Sequence, residues 1–201
     1  MNDFQPTGRT KLRRHPERGT YDRQRIYAVL DEALVCHLSF VHEGQPYGIP
    51  TMHARQANTL YIHGAAPGRM LMTLSAGGPV CVTVTLLDGL VLAKSAFNHS
   101  MNYRSVMVLG EACLVTEVQE KLTAMSALVE RMAPGRWAEC RQPTAQEIGA
   151  TAIVRISLDE ASAKIRSGPP TDNQADWDWP VWAGVVPIST MVGAPRDSRS
   201  T

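Results

Sequence analysis

A chain of 201 residues, 44% of them hydrophobic, is long enough for one domain that buries roughly 70% of the surface its unfolded form exposes. Its 20 Lys and Arg nearly balance 19 Asp and Glu, and a formal charge of +1 leaves no global field to draw in nucleic acid or an anionic membrane. No apolar run approaches the roughly 20 residues of a membrane-spanning helix, and the four cysteines form no C-x-x-C pair. That usage points to a reducing cytoplasm rather than to a disulfide frame or a zinc site.

Residues 1–20 are polar and basic with few apolar anchors, and they read as a mobile arm that lacks the apolar middle of a signal peptide. Thr20 can cap a helix over 21–33, because Ile26, Val29, Leu30 and Ala33 recur at i, i+3, i+4 and i+7. Strand-like runs follow at 34–41, 47–55 and 59–63, separated by Glu43-Gly44-Gln45-Pro46 and Gln56-Ala57-Asn58 turns. Gly64-Ala65-Ala66-Pro67-Gly68 then opens a short helix over 69–75. Val82, Val84 and Leu86 alternate with Thr83 and Thr85 in a strand over 79–87, and Asp88-Gly89 signals a tight hairpin into 90–97.

The segment from Asp88 to Ala112 is the centre of the pattern. Its two apolar runs flank Asn98-His99-Ser100-Met101-Asn102-Tyr103-Arg104-Ser105, a connector dense in amide, hydroxyl, phenol and guanidinium groups. Those groups suit a flat, phosphate-bearing ligand at the rim of a sheet; the alternative is a solvated loop. Thr116 to Gln119 and Thr144 to Glu147 are two capping boxes. The first opens a helix whose Leu122, Met125, Leu128, Val129 and Met132 form a core stripe, and the last strand covers 151–158. Six or seven antiparallel strands with three short helices and no βαβ repeat predict a mainly β protein, a small β-barrel with peripheral helices. The expected domain covers 21–188, with a flexible tail over 189–201.

No nucleotide-loop, nucleophile-elbow or H-E-x-x-H motif is present, the histidines lack metal-ligand spacing, and no catalytic residue stands out. His37 and His53 sit in strand runs and read as structural. His63-Gly64-Ala65-Ala66-Pro67-Gly68-Arg69-Met70 is a candidate phosphate site: a glycine-containing turn opens a helix, and Arg69 adds a full charge. An ordinary loop with a solvated arginine is the alternative.

The strand–turn–Arg–helix L-Y-I-H-G-A-A-P-G-R-M, then P-V-C-V-T-V and Y-R-S-V-M-V-L-G-E-A, resembles the FMN-binding split barrels related to pyridoxamine 5'-phosphate oxidase. The branch that includes nitroimidazole-resistance proteins is the nearest in pattern, over about residues 10–188. The resemblance implies FMN as cofactor, with its phosphate on Arg69. Met70 stands where the family often has lysine, so Arg104 or Lys94 would substitute. Ile49, Pro50, Thr51 and Met52 match positions along the isoalloxazine edge, and His63 and Gly64 those that begin the turn. Ser105, with Asn102 and Tyr103 before it, matches the polar residue ahead of V-M-V-L-G. Trp182 takes the place of a C-terminal tryptophan, but no arginine follows it, which argues against pyridoxamine phosphate as substrate. The resemblance further implies a homodimer with flavin between subunits, acting as an oxidoreductase on a small molecule or with a nicotinamide donor. The alternative is a flavin- or haem-binding protein with His63 or His99 as iron ligand. Trp177, Trp179 and Trp182 carry too much apolar area to leave in water, so they are expected to plug the barrel or to cover the flavin.

Overall fold

A computed structural model describes residues 2–196. Among these, the strands are β1 (Gly19–Thr20), β2 (Val35–His42), β3 (Gln45–Met52), β4 (Ala54–Gln56), β5 (Thr59–Ala65), β6 (Pro79–Leu92), β7 (Ser100–Leu114), β8 (Thr151–Ser157), β9 (Glu160–Arg166) and β10 (Gly184–Pro187). The helices are α1 (Arg23–Glu32), α2 (Arg69–Ser75), α3 (Val118–Met132), α4 (Arg136–Glu139) and α5 (Ala145–Ala150). The main strand order is β3-β2-β6-β7-β8-β5-β4, with β10 on β6, and β9 on β1 and β7. Every pairing with a described register is antiparallel. This is the expected mainly β split barrel, its described strands paired antiparallel and without a βαβ repeat.

The described residues divide into two compact units, one of 2–86 with 105–165 and the other of 87–104 with 166–196. The first unit holds the main core. Ile26 and Leu30 of α1, Leu38 of β2, Leu60 and Ile62 of β5, Val82 and Val84 of β6 and Ile156 of β8 are all at most 1% exposed. Each such side chain contributes about 1.5–3 kcal/mol by leaving water. The alternation read in β6 holds, since Val80, Val82 and Val84 are buried while Thr83 and Thr85 are not.

Several expectations are corrected. Asp88-Gly89 is no hairpin: β6 runs straight through it for 14 residues. A Cβ on Gly89 would stand 2.9 Å from Val185 Cγ1 and 3.0 Å from Val186 O, so this glycine admits β10 rather than turning the chain. The polar connector shrinks to one 3-10 turn over Ala96–Asn98, and Asn102–Ser105 lie within β7. Asp22, not Thr20, caps α1 by accepting from Arg25 N at 2.7 Å. Glu117 is the N-cap of α3 without a side-chain bond, so the box at Thr116 does not form. The one at Thr144 and Glu147 does. On α3 the buried positions are Ala124, Ala127 and Leu128, and Met132 is 60% exposed.

The N-terminal segment is anchored, not a loose arm. Phe4 is 2% exposed, its N–H donates to Tyr21 O at 2.9 Å, and the Arg23 guanidinium lies 3.9 Å from its ring centroid. Thr7 Oγ1 and Arg9 both donate to Glu160, at 2.9 and 2.7 Å, and β1 pairs with β9. One buried aromatic and a few polar contacts hold a stretch whose composition alone predicts disorder. Of the expected tail over 189–201, residues 197–201 lie outside the described residues.

The second unit is built on side-chain clamps. Lys94 Nζ donates to the Trp179 and Val181 carbonyls at 2.7 and 3.2 Å, and Lys94 N–H to Asp172 Oδ1 at 2.8 Å. Trp177, Trp179 and Trp182 remain 61%, 61% and 63% exposed, so they neither plug a core nor sit under cover in this chain.

Candidate functional site

In the first unit the candidate residues gather at the end of β5, the start of α2 and one face of β3. Successive β3 side chains point to opposite faces. Tyr47, Ile49 and Thr51 therefore share a half-buried face, while Gly48 and Pro50 are exposed. Ile49 packs on the main core, whereas Met52 packs on Ala54, Ala127 and Leu128. The run Ile49–Met52 thus cannot line one ligand as a block; Ile49 and Thr51 can. Because β3 ends the main strand order, Pro46 and Pro50 cost it no ladder bond on the free edge.

Arg69 is exposed at the first position of α2, and its guanidinium lies 5.0 Å from the Tyr47 ring centroid. Tyr47 in turn stacks on Phe40, with centroids 5.6 Å apart and planes 17° apart. Cation–π contact thus holds the arginine beside the β3 face. No carboxylate pairs with Arg69 among the described residues, so its charge is available to an anion. At seven residues α2 offers only a small dipole, and the attraction rests on the side chain. Thr73 Oγ1 lies 2.9 Å from both the Arg69 carbonyl and His42 Nδ1. Its single proton goes to the carbonyl when His42 Nδ1–H is the donor.

Gly64 and Met70 belong to the same cluster for a packing reason. A Cβ on Gly64 would stand 2.7 Å from Leu71 Cδ2 and 3.7 Å from Met70 Cε, so α2 closes directly on the end of β5. Met70 is partly buried against the main core, which explains an apolar residue at that position. His63, paired with Ile153 across β5 and β8, is exposed. Ser105 Oγ donates to Lys164 O at 3.2 Å and keeps its lone pairs.

The candidates in the second unit are mostly committed to their own neighbours. Arg104 forms a two-point pair with Asp88, at 3.0 and 2.8 Å, and Lys94 is held by carbonyls. Neither is a ready substitute for the missing lysine at position 70. Asn102, 8% exposed, donates to Gly168 O at 3.1 Å and accepts from Arg166 Nη1, so both ends of its amide are used. Tyr103 is half-buried in β7. The Trp182 ring lies against Gly184, where a Cβ would stand 2.6 Å from its Cζ2. His99 Nδ1 lies 2.9 Å from Ser95 O, a carbonyl that can only accept, so Nδ1–H is the donor.

Two histidines separate cleanly. His53 is fully buried, bonded through Nε2 to Leu30 O at 2.9 Å, and its Nδ1 has no partner in the described residues. Burial holds its pKa below the ordinary value, with nearby Arg131 adding to the effect; the bond to Leu30 O and Asp31 oppose it. His37 is exposed on β2 and plays no such part.

A family model for pyridoxamine 5'-phosphate oxidase matches residues 22–165. The chain belongs to this family. Among solved structures, the chain is similar to the flavocytochrome Anf3 from Azotobacter vinelandii. It is 38% identical, with a TM-score of 0.92 over 98% of this chain and 92% of that one. The FAD and heme binding protein from Mycobacterium smegmatis is 34% identical, with a TM-score of 0.87 over 92% of this chain and 90% of that one. A protein assigned to 5-nitroimidazole antibiotic resistance in Bacteroides thetaiotaomicron shares the fold at 22% identity, with a TM-score of 0.60 over 73% and 86%. No curated protein matches the chain.

Tyr47, which carries Arg69 and forms one wall of the β3 face, was absent from the sequence-derived site. Its period-2 spacing from Ile49 and Thr51 was the available signal. Among the described residues no helix is long and apolar enough to cross a membrane.

Proposed function

We propose that this protein binds a flavin and works as a redox protein, with Arg69 holding the flavin's phosphate beside the Tyr47, Ile49 and Thr51 face. The observation that carries this reading is Arg69: an exposed, ring-supported guanidinium without a carboxylate partner, in a chain 38% identical to a flavocytochrome. The residues fit the group. A phosphate matches the guanidinium fork, and a half-buried strand face suits a flat ring. The bound flavin supplies hydride and one-electron chemistry, while this chain positions it and sets its surroundings. FMN is the form that the single arginine suits, and FAD is the form named for the Mycobacterium smegmatis protein. Titration of flavin-free protein with FMN, FAD and riboflavin separates these, and affinity for none of them refutes the reading.

A second cofactor, haem, is favoured by one observation. His99 donates Nδ1–H to a backbone carbonyl, which is the arrangement that orients an imidazole as an axial ligand through Nε2. Phe97 and Met101 beside it are 92% and 49% exposed, an apolar setting that suits a porphyrin. His99→Ala tests this assignment: loss of haem uptake with unchanged flavin affinity supports it, and unchanged haem uptake rejects it.

We further propose that the chain works as a homodimer. Three exposed tryptophans and Phe97 leave large aromatic side chains in water that a second copy of the chain would cover. A monomer by light scattering with flavin bound would overturn this.

A further inference from the structure

One cavity in the first unit lies apart from the Arg69 cluster and has a different chemistry. Its floor is the outward stripe of α3, where Gln119, Thr123 and Ser126 recur at i, i+4 and i+7, and Gln56 at the end of β4 forms one wall. The opposite wall is Trp137 of α4 and Gln142 after it. The volume is about 390 Å³, within the size range of small-molecule sites. No charged residue lines it.

The wall is held in place rather than loose. The Glu130 carboxylate accepts from Gly135 N at 2.6 Å and from Trp137 N at 2.8 Å, which fixes the backbone of the turn between α3 and α4 that carries the indole. Gln142 Nε2 donates to the Trp137 and Cys140 carbonyls, at 2.9 and 3.4 Å. Both of its amide protons are therefore used, and its Oε1 remains a fixed acceptor. Thr123 Oγ1 donates to Gln119 O at 3.0 Å and keeps its lone pairs. The Gln56 and Gln119 amides, the Ser126 hydroxyl and the Trp137 Nε1–H donate to no other group among the described residues. The groove thus presents donors and acceptors of both kinds, one indole, the Leu122 side chain and no charge.

We propose that this groove binds a neutral, polyhydroxylated small molecule of the saccharide or polyol class. Hydroxyls that both donate and accept match amides and hydroxyls of both senses, and the C–H face of a sugar ring suits an indole. A phosphate or carboxylate ligand would find no cation here, and an ammonium ligand no anion. Each hydrogen bond at this open groove replaces one to water and contributes little net, so the expected dissociation constant is weak, on the order of 1 mM.

The test is ligand-observed saturation-transfer NMR on the full chain, with glucose, trehalose and ribitol against glucose 6-phosphate, glucosamine and a capped triglycine. Transfer to at least one neutral polyol, with little to the charged sugars or the peptide, is the expected result. Trp137→Ala should weaken it by about tenfold or more. Gln119→Lys, which alters only an exposed helix face, should weaken it as well and covers the case in which the tryptophan variant does not fold. No transfer to any neutral polyol at about 20 times that constant overturns the proposal. So does stronger transfer to a charged sugar or to the peptide, or transfer that both variants leave unchanged.

Discussion

Arg69→Ala is the substitution that weighs most on the proposed site. The side chain is exposed and its guanidinium touches only the Tyr47 ring, so its removal costs the fold at most about 1 kcal/mol of cation–π contact. A hydrogen bond to a charged group contributes about 1.5–3 kcal/mol, and the exposure of Arg69 argues for the lower half of that range. At 1.4 kcal/mol per factor of ten, FMN affinity should fall by about 10- to 40-fold. Riboflavin, which has no phosphate, should lose less than about twofold. Arg69→Lys keeps the charge without the planar fork and should fall between the two. Fluorescence titration of flavin-free protein reads all three. The difference between FMN and riboflavin should shrink as salt is raised, because the contact is open to solvent. Equal losses for the two ligands would refute the assignment of Arg69 to phosphate.

Three further outcomes follow from the packing. Phe4→Ala should destabilise the protein by about 3 kcal/mol and lower Tm by about 6–12 °C in a chain of this size, whereas a loose arm would leave Tm unchanged. Gly89→Val should detach β10, since the new side chain meets Val185 and the Val186 carbonyl, and limited proteolysis should then cut near 184–188; wild-type resistance there would contradict the packing. Burial lowers the His53 pKa in the folded state, so the unfolded chain takes up the proton first. Stability should therefore fall as pH drops below about 6.5 and level off once the folded form is also protonated. Chemical denaturation at several pH values should show a flatter slope in His53→Gln, and an unchanged slope would remove His53 as the cause.

Much of the barrel was legible because its signals are local. β-Branched alternation in β6, the helix over 69–75 and the Thr144 capping box each depend on near neighbours, and each is found as read. What misled was punctuation without context. Asp88-Gly89 signals a turn, yet here glycine answers to the close approach of β10, a strand about a hundred residues away that no local pattern announces. The segment before α1 has the composition of a disordered arm, but the burial of Phe4 depends on Arg23 and Tyr27, which composition does not weigh. The site divides in the same way. Arg69 is exposed and without a carboxylate partner among the described residues, as its place after a glycine turn suggests, whereas Asn102, Arg104 and Lys94 are engaged by Arg166, Asp88 and the Trp179 carbonyl. A polar residue in sequence shows its capacity to bind; only the fold shows whether that capacity is already used.

The visible absorption spectrum of the protein as purified, with the released chromophore identified by chromatography, tests the account most directly. Flavin bands in the near-ultraviolet and the blue are the expected result. Their partial loss in Arg69→Ala would tie them to the proposed site. A colourless protein that takes up neither FMN nor FAD on reconstitution would contradict the account.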